Sequence, residues 1–192
     1  MKHILLLAFG LVVWAGGARA DEFRLATDIH FYECALVNLA PFPERNTLYV
    51  FQQYNGGSTA SQFKVDDTSG LVFFSATSPY LLLGAWNTDM SIAYGGCVVG
   101  SHVVLTLEFL WFGVPITGCD NRLVVVPAPT SPLPGEIAIV GCGGPPWTLR
   151  TGWGRPTFVG ADAITCDLVG SCCSCVVPVH QATWGSVKAL YR

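Results

Sequence analysis

His102-Val-Val-Leu-Thr-Leu-Glu-Phe-Leu-Trp-Phe112 places Val103, Leu105, Leu107, Phe109 and Trp111 on one side of an extended chain, against His102, Thr106 and Glu108 on the other. Apolar and polar residues alternating with a period of two describe a half-buried β-strand. Shorter runs rich in β-branched and aromatic residues repeat this pattern over Leu48–Tyr54, Ala60–Val65, Leu71–Thr77, Met90–Tyr94, Leu123–Val126, Glu136–Val140 and Trp147–Thr151. Turn residues separate them, among them Asn55-Gly56-Gly57, Asp67-Thr68-Ser69-Gly70, Gly95-Gly96 and Pro132-Leu133-Pro134-Gly135. Many short strands at close spacing predict an all-β, antiparallel β-sandwich with Greek-key connections. The only helical turns expected after residue 20 are near Cys34–Asn38 and over Thr183–Tyr191.

The chain begins with Lys2 and His3, an apolar run from Ile4 to Trp14 and the small-residue stretch ending Ala18-Arg19-Ala20. That order is the grammar of a secretory signal, and cleavage is expected after Ala20. Three parts follow: residues 1–20 as signal peptide, 21–181 as the sandwich domain and 182–192 as a C-terminal tail. Losing Lys2 and Arg19 leaves 8 basic residues against 13 acidic ones. A surface with that balance and no basic cluster lacks the cationic stripe that phosphate neutralisation requires, so nucleic acid is excluded as a partner. The chain is 51% apolar, yet its longest apolar stretch after the signal, Val103–Val114, is too short to span a bilayer as a helix and contains Glu108. The expected location is secreted, periplasmic or cell-surface.

Cysteines stand at Cys34, Cys97, Cys119, Cys142, Cys166, Cys172, Cys173 and Cys175. An even count in an exported domain reads as structural disulfides. The pairing stays open. Cys119 and Cys142 bracket a strand, a connection and a strand, a placement that suits a hairpin staple, which leaves Cys34 to tie the N-terminal segment to Cys97. The later four crowd together with His180 nearby, the one region, Cys166–His180, where a metal-binding or enzymatic reading competes. Their spacing lacks paired C-x-x-C knuckles, and an oxidising compartment consumes such thiols, so no metal or other cofactor is assigned.

No catalytic residue is assigned either. The chain has no G-x-S-x-G elbow, H-E-x-x-H helix, P-loop or dinucleotide-binding glycine pattern. His30, His102 and His180 assemble no triad; His102 falls on the polar side of its strand, where a solvated ring is expected. Asp66-Asp67 reads as a solvated turn. Trp147-Thr-Leu-Arg-Thr-Gly-Trp153-Gly-Arg155 offers a binding feature, because Trp147 and Trp153 fall on the same side of an extended segment. With Arg155 beside them they form a candidate platform for sugar rings. The competing reading buries both rings; Trp86 and Trp111 have core-like neighbours.

Ala182-Thr-Trp-Gly-Ser-Val-Lys-Ala-Leu-Tyr-Arg192 resembles the T-W-G-x-[IV]-K-x-L-[YF]-R tail found on assorted exported bacterial proteins. That resemblance implies a sorting or surface-attachment role for Trp184, Gly185, Lys188, Tyr191 and Arg192. A plain last helical turn packing Trp184, Val187 and Tyr191 on the sandwich competes with it. Ala60-Ser-Gln-Phe-Lys-Val65, followed by Gly70-Leu-Val-Phe-Phe-Ser-Ala-Thr77, resembles paired strands of cohesin-like modules. This implies an immunoglobulin-like or cohesin-like sandwich; the high cysteine count departs from cohesins, so dockerin binding is not carried over. The resulting expectation is a disulfide-stapled, non-catalytic binding or structural protein. Its partner is a protein or glycan at the cell surface.

Overall fold

The computed structural model describes residues 21–28, 35–36, 38–53, 56–144 and 147–161. These form twelve strands and no helix: β1 (Asp21–Ala26), β2 (Ala35–Leu36), β3 (Arg45–Gln53), β4 (Ser58–Asp67), β5 (Val72–Thr77), β6 (Leu81–Ala85), β7 (Asp89–Val98), β8 (Ser101–Leu110), β9 (Arg122–Val126), β10 (Ile137–Gly141), β11 (Leu149–Gly154) and β12 (Thr157–Val159). The all-β sandwich is as the periodicity predicts. Where the sequence suggests a helical turn near Cys34–Asn38, the chain forms β2. Its parallel pairing with Phe158 and Val159 outweighs the local preference of two residues.

One ladder runs β6-β7-β4-β10-β11-β1-β3-β8-β5 and curls into two layers. β4 is long enough to serve two neighbourhoods. Ser58–Phe63 lies between β7 and β10, whereas Lys64–Asp67 pairs with β9, which leads to β12 and β2. Side chains on the inner faces join the layers. Phe23 of β1 meets Phe63 of β4 with ring centroids 4.9 Å apart, and Trp86 lies 4.7 Å from Phe73 and 5.7 Å from Phe109. Phe23, Phe63, Met90, Ile92, Leu107, Phe109 and Ile139 are fully buried. Each such side chain contributes roughly 1.5–3 kcal/mol relative to exposure.

The period of β8 breaks once. Leu105 pairs with Val50 but Val103 pairs with Phe51, so Val104 is an extra residue, and Val104 and Leu105 are both buried. A bulge of this kind inverts the facing of the residues beyond it. His102 is therefore not on the solvated side as its sequence position suggests. It is turned inward, edge-on to Tyr80 and Tyr94 at 5.9 and 5.8 Å. Burial holds its imidazole below the ordinary pKa. Beside it, the Tyr94 hydroxyl donates to Gln52 Oε1 and shares a hydrogen bond with Ser61, a polar chain inside the sandwich.

Cys97 and Cys142 are bonded, with Cα atoms 5.3 Å apart. This replaces both expected pairings, Cys119 with Cys142 and Cys34 with Cys97. The reason is β4. Cys97 on β7 and Cys142 just after β10 flank its first residues, whereas the turn carrying Cys119 lies at its other end, where the Thr68 hydroxyl donates to Asp120 O. Ten residues of strand separate those places by about 30 Å. Cys119 is disulfide-bonded as well. The bridge crosses Gly57, at φ +80°, where a Cβ would lie 2.7 and 2.9 Å from the two sulfurs. Only a glycine accommodates both that backbone and that contact.

Candidate functional site: an outward five-strand face

Register builds a surface that no local segment contains. Along β4 the buried Ser61, Phe63 and Val65 alternate with outward Ala60, Gln62 and Lys64, and along β7 the buried Met90, Ile92 and Tyr94 alternate with Asp89, Ser91 and Ala93. Pairing across the sheet aligns Leu81, Ala93, Ala60, Val140 and Leu149 in one row over β6, β7, β4, β10 and β11. The next row is Leu83, Ser91, Gln62, Ala138 and Thr151, of which Ala138 is buried and not part of the exposed surface. At ordinary strand spacing the rows are about 19 Å wide. Neither row contains a charge. The first row sets Ala93, Ala60 and Val140 between two exposed leucines, and the second begins with another: Leu81 is 63%, Leu149 47% and Leu83 61% exposed.

The two ends of this face are fixed differently. At one, the Cys97–Cys142 bridge holds β7 to β10. At the other, the β9–β10 connection is pinned across the strands: Asp89 accepts hydrogen bonds from Gln62 Nε2 at 2.9 Å and from the Thr130 hydroxyl. Those bonds, Thr130's first and then Gln62's, hold the Asp89 carboxyl below its ordinary pKa. A depressed carboxyl contributes stability above its unfolded pKa and loses it as the pH falls through the folded one. Asp89→Asn is therefore expected to melt below the parent at neutral pH and together with it at a pH acid enough to protonate Asp89 in the folded protein. Thermal unfolding at the two pH values checks this; an equal gap at both would show that the tether is not ionic.

The outward line of β11 continues through Leu149 and Thr151 to Trp153, which is 40% exposed and lies opposite Glu22 of β1. The Arg155 guanidinium sits 5.4 Å from the Trp153 ring centroid, and its Nε is 3.0 Å from Glu22 Oε1. Arg24 grips the same carboxylate at 2.5 and 2.8 Å. Trp147 is 56% exposed but precedes β11. Neither ring is a core residue, unlike Trp86. Among the described residues no ring contact joins Trp147 to Trp153, and at most about 20 Å of extended chain lies between them.

No protein-family model matches the chain, and no curated protein does. Solved structures do. The chain is similar to a non-cellulosomal cohesin from the hyperthermophilic archaeon Archaeoglobus fulgidus, at 8% identity over 79% of this chain and 99% of that one, with a TM-score of 0.46. A cohesin module from a Clostridium perfringens family 33 glycoside hydrolase matches at 5% identity over 73% and 97%, with a TM-score of 0.46. A ScaB type I cohesin from Pseudobacteroides cellulosolvens matches at 9% identity over 74% and 93%, again with a TM-score of 0.46.

Cys34, Cys166, Cys172, Cys173, Cys175, His30, His180, Trp184, Gly185, Lys188, Tyr191 and Arg192 lie outside the described residues, as do the signal segment and the tail. Within the described residues no three metal-ligating side chains gather. Sequence reasoning finds Trp147, Trp153 and Arg155 by residue type, and it misses the two rows because Ala60, Leu81, Ala93, Val140 and Leu149 are brought together only by register.

Proposed function

We propose that this chain is an exported, non-catalytic binding protein whose contact surface is the outward face of β6, β7, β4, β10 and β11. The carrying observation is the uncharged pair of rows, ending in leucines that are more than 60% exposed on β6. Flat surfaces with apolar side chains at this exposure and a polar border suit a protein partner. Export is supported by the signal-like residues 1–20 and by the Cys97–Cys142 bridge, a bond that persists in oxidising compartments. The tail over 182–192 would then act in sorting or attachment.

A second reading is favoured by the exposure of Trp147 and Trp153, and by the guanidinium beside Trp153: sugar rings stacking at the β11 edge of the same face. One set of variants separates the two. The full chain, made through an oxidising export pathway and immobilised, is used to capture partners from the envelope and medium of the cells that make it; the retained partner is then purified. Ala60→Arg and Ala93→Arg are each expected to weaken that partner by about 100-fold, or ~2.7 kcal/mol, while Thr106→Arg on the opposite sheet leaves it unchanged. Equal losses from all three would remove this face from the reading. Glycan binding lost in Trp153→Ala but kept in Ala60→Arg would establish the sugar reading instead.

A further inference from the structure

Among the described residues the curled ladder ends at β5 and β6, because there β5 bonds only to β8 and β6 only to β7. Each end presents backbone groups able to pair with another strand. The molecule treats the two very differently. β5 is blunted: its register breaks between Phe73 and Ser75, the Arg45 guanidinium covers Phe74 at 3.8 Å from the ring centroid, and Glu108 takes both Arg45 at 3.0 Å and the Ser75 hydroxyl at 2.6 Å. A bulge and nearby charges are the devices by which sheets refuse edge pairing. β6 has neither. Leu81-Leu82-Leu83-Gly84-Ala85 contains no charge and no proline, and it keeps unbroken register with β7 over all five residues. The Leu81 and Leu83 side chains are exposed, while Leu82 packs against the core.

We infer that β6 is a self-pairing edge, and that two copies of this chain join antiparallel through it. A two-fold axis at Leu82 sets Leu82 beside its own copy and Leu81 of each protomer beside Leu83 of the other, twice. Both exposed leucines then cover each other on the outward side, and the sheet runs on into the partner. A two-fold arrangement closes after two copies, which an edge pairing with a foreign strand does not require. β6 itself brings no charge to the seam, and the carboxylate of Asp89, opposite Ala85 on β7, is already engaged by Gln62 and Thr130. A contact of this size is small, so the dimer is weak, on the order of micromolar. This goes beyond the partner-binding reading and does not depend on it, since its test needs no partner.

The test is sedimentation equilibrium of the full chain, produced through an oxidising export pathway, over roughly 1–500 µM, together with amide hydrogen exchange at low and high concentration. The parent is expected to dimerise, with exchange over 81–85 slowing as concentration rises. The double variant Leu81→Lys, Leu83→Lys is expected to weaken the dimer by more than about tenfold with an unchanged melting temperature, both residues being exposed. A parent that stays monomeric throughout overturns the proposal. So does a dimer in which protection rises over 72–77 or elsewhere instead of over 81–85. The exchange pattern is read on the parent, so it decides the matter even if the lysine variant folds poorly.

Discussion

Replacing Cys97 and Cys142 together by serine is expected to lower the free energy of unfolding by about 4 kcal/mol, the loop-closure entropy for a bridge spanning 45 residues. The magnitude comes from the unfolded chain, and the bridge's position decides where the folded protein suffers. Cys97 and Cys142 join β7 to β10 across the first residues of β4, one pairing beyond the Ala93–Ala60–Val140 row. Without the bond, that end of the outward face is held by ladder hydrogen bonds, by the Ser58 and Thr59 hydroxyls on the Val140 carbonyl and by Arg150 on the Gly57 carbonyl. Urea unfolding followed by circular dichroism under oxidising conditions measures the effect. With a slope of about 2 kcal/mol per molar urea, the midpoint is expected to fall by about 2 M. A fall below about 0.5 M would mean that the bridge constrains little that the sheet does not already hold.

Gly154→Ala is expected to cost roughly 3 kcal/mol, and for a purely steric reason. A Cβ at Gly154 would lie 1.8 Å from the carbonyl oxygen of Val125 and 2.7 Å from its carbon. These are backbone atoms of β9, so no side chain can swing aside; β11 and β9 must separate where Gly154 crosses Val125. In a domain of this size the melting temperature should drop by about 6–12 °C. Gly96→Ala supplies the control, since a Cβ there meets nothing within 4 Å. It is expected to be neutral or slightly stabilising, because alanine narrows the unfolded ensemble. Similar losses from both variants would place the effect in strand propensity and not in the approach of β9.

The strands that announce themselves in the sequence are those whose inward residues are β-branched or aromatic. β3, β4, β7, β8 and β10 all have that character. β6 does not: Leu-Leu-Leu-Gly-Ala has no alternation to read, and only its partner β7 makes it a strand. β12 is three residues long and is defined by β9 and β2 on either side. His102 was legible as a residue but not in its facing, because one extra residue at Val104 inverts the pattern. The same limit applies to the site. Trp147, Trp153 and Arg155 stand out by type within nine residues of chain, whereas the outward rows draw on strands from β6 to β11. Cysteine pairing is equally non-local, since Cys97 and Cys142 become neighbours only when β4 is laid between their strands.

β1 carries a consequence for how the molecule comes into being. Its antiparallel neighbour β3 follows soon after it in the chain, but its other neighbour, parallel β11, contributes Gly152, Trp153 and Gly154. Emerging from a ribosome or a translocon, β1 can find β3 early and must then wait, one side bare, until more than a hundred further residues have appeared. Contacts at such separation slow folding. Any product truncated before β11 would carry a vacant slot beside β1, open to whatever extended chain reaches it first.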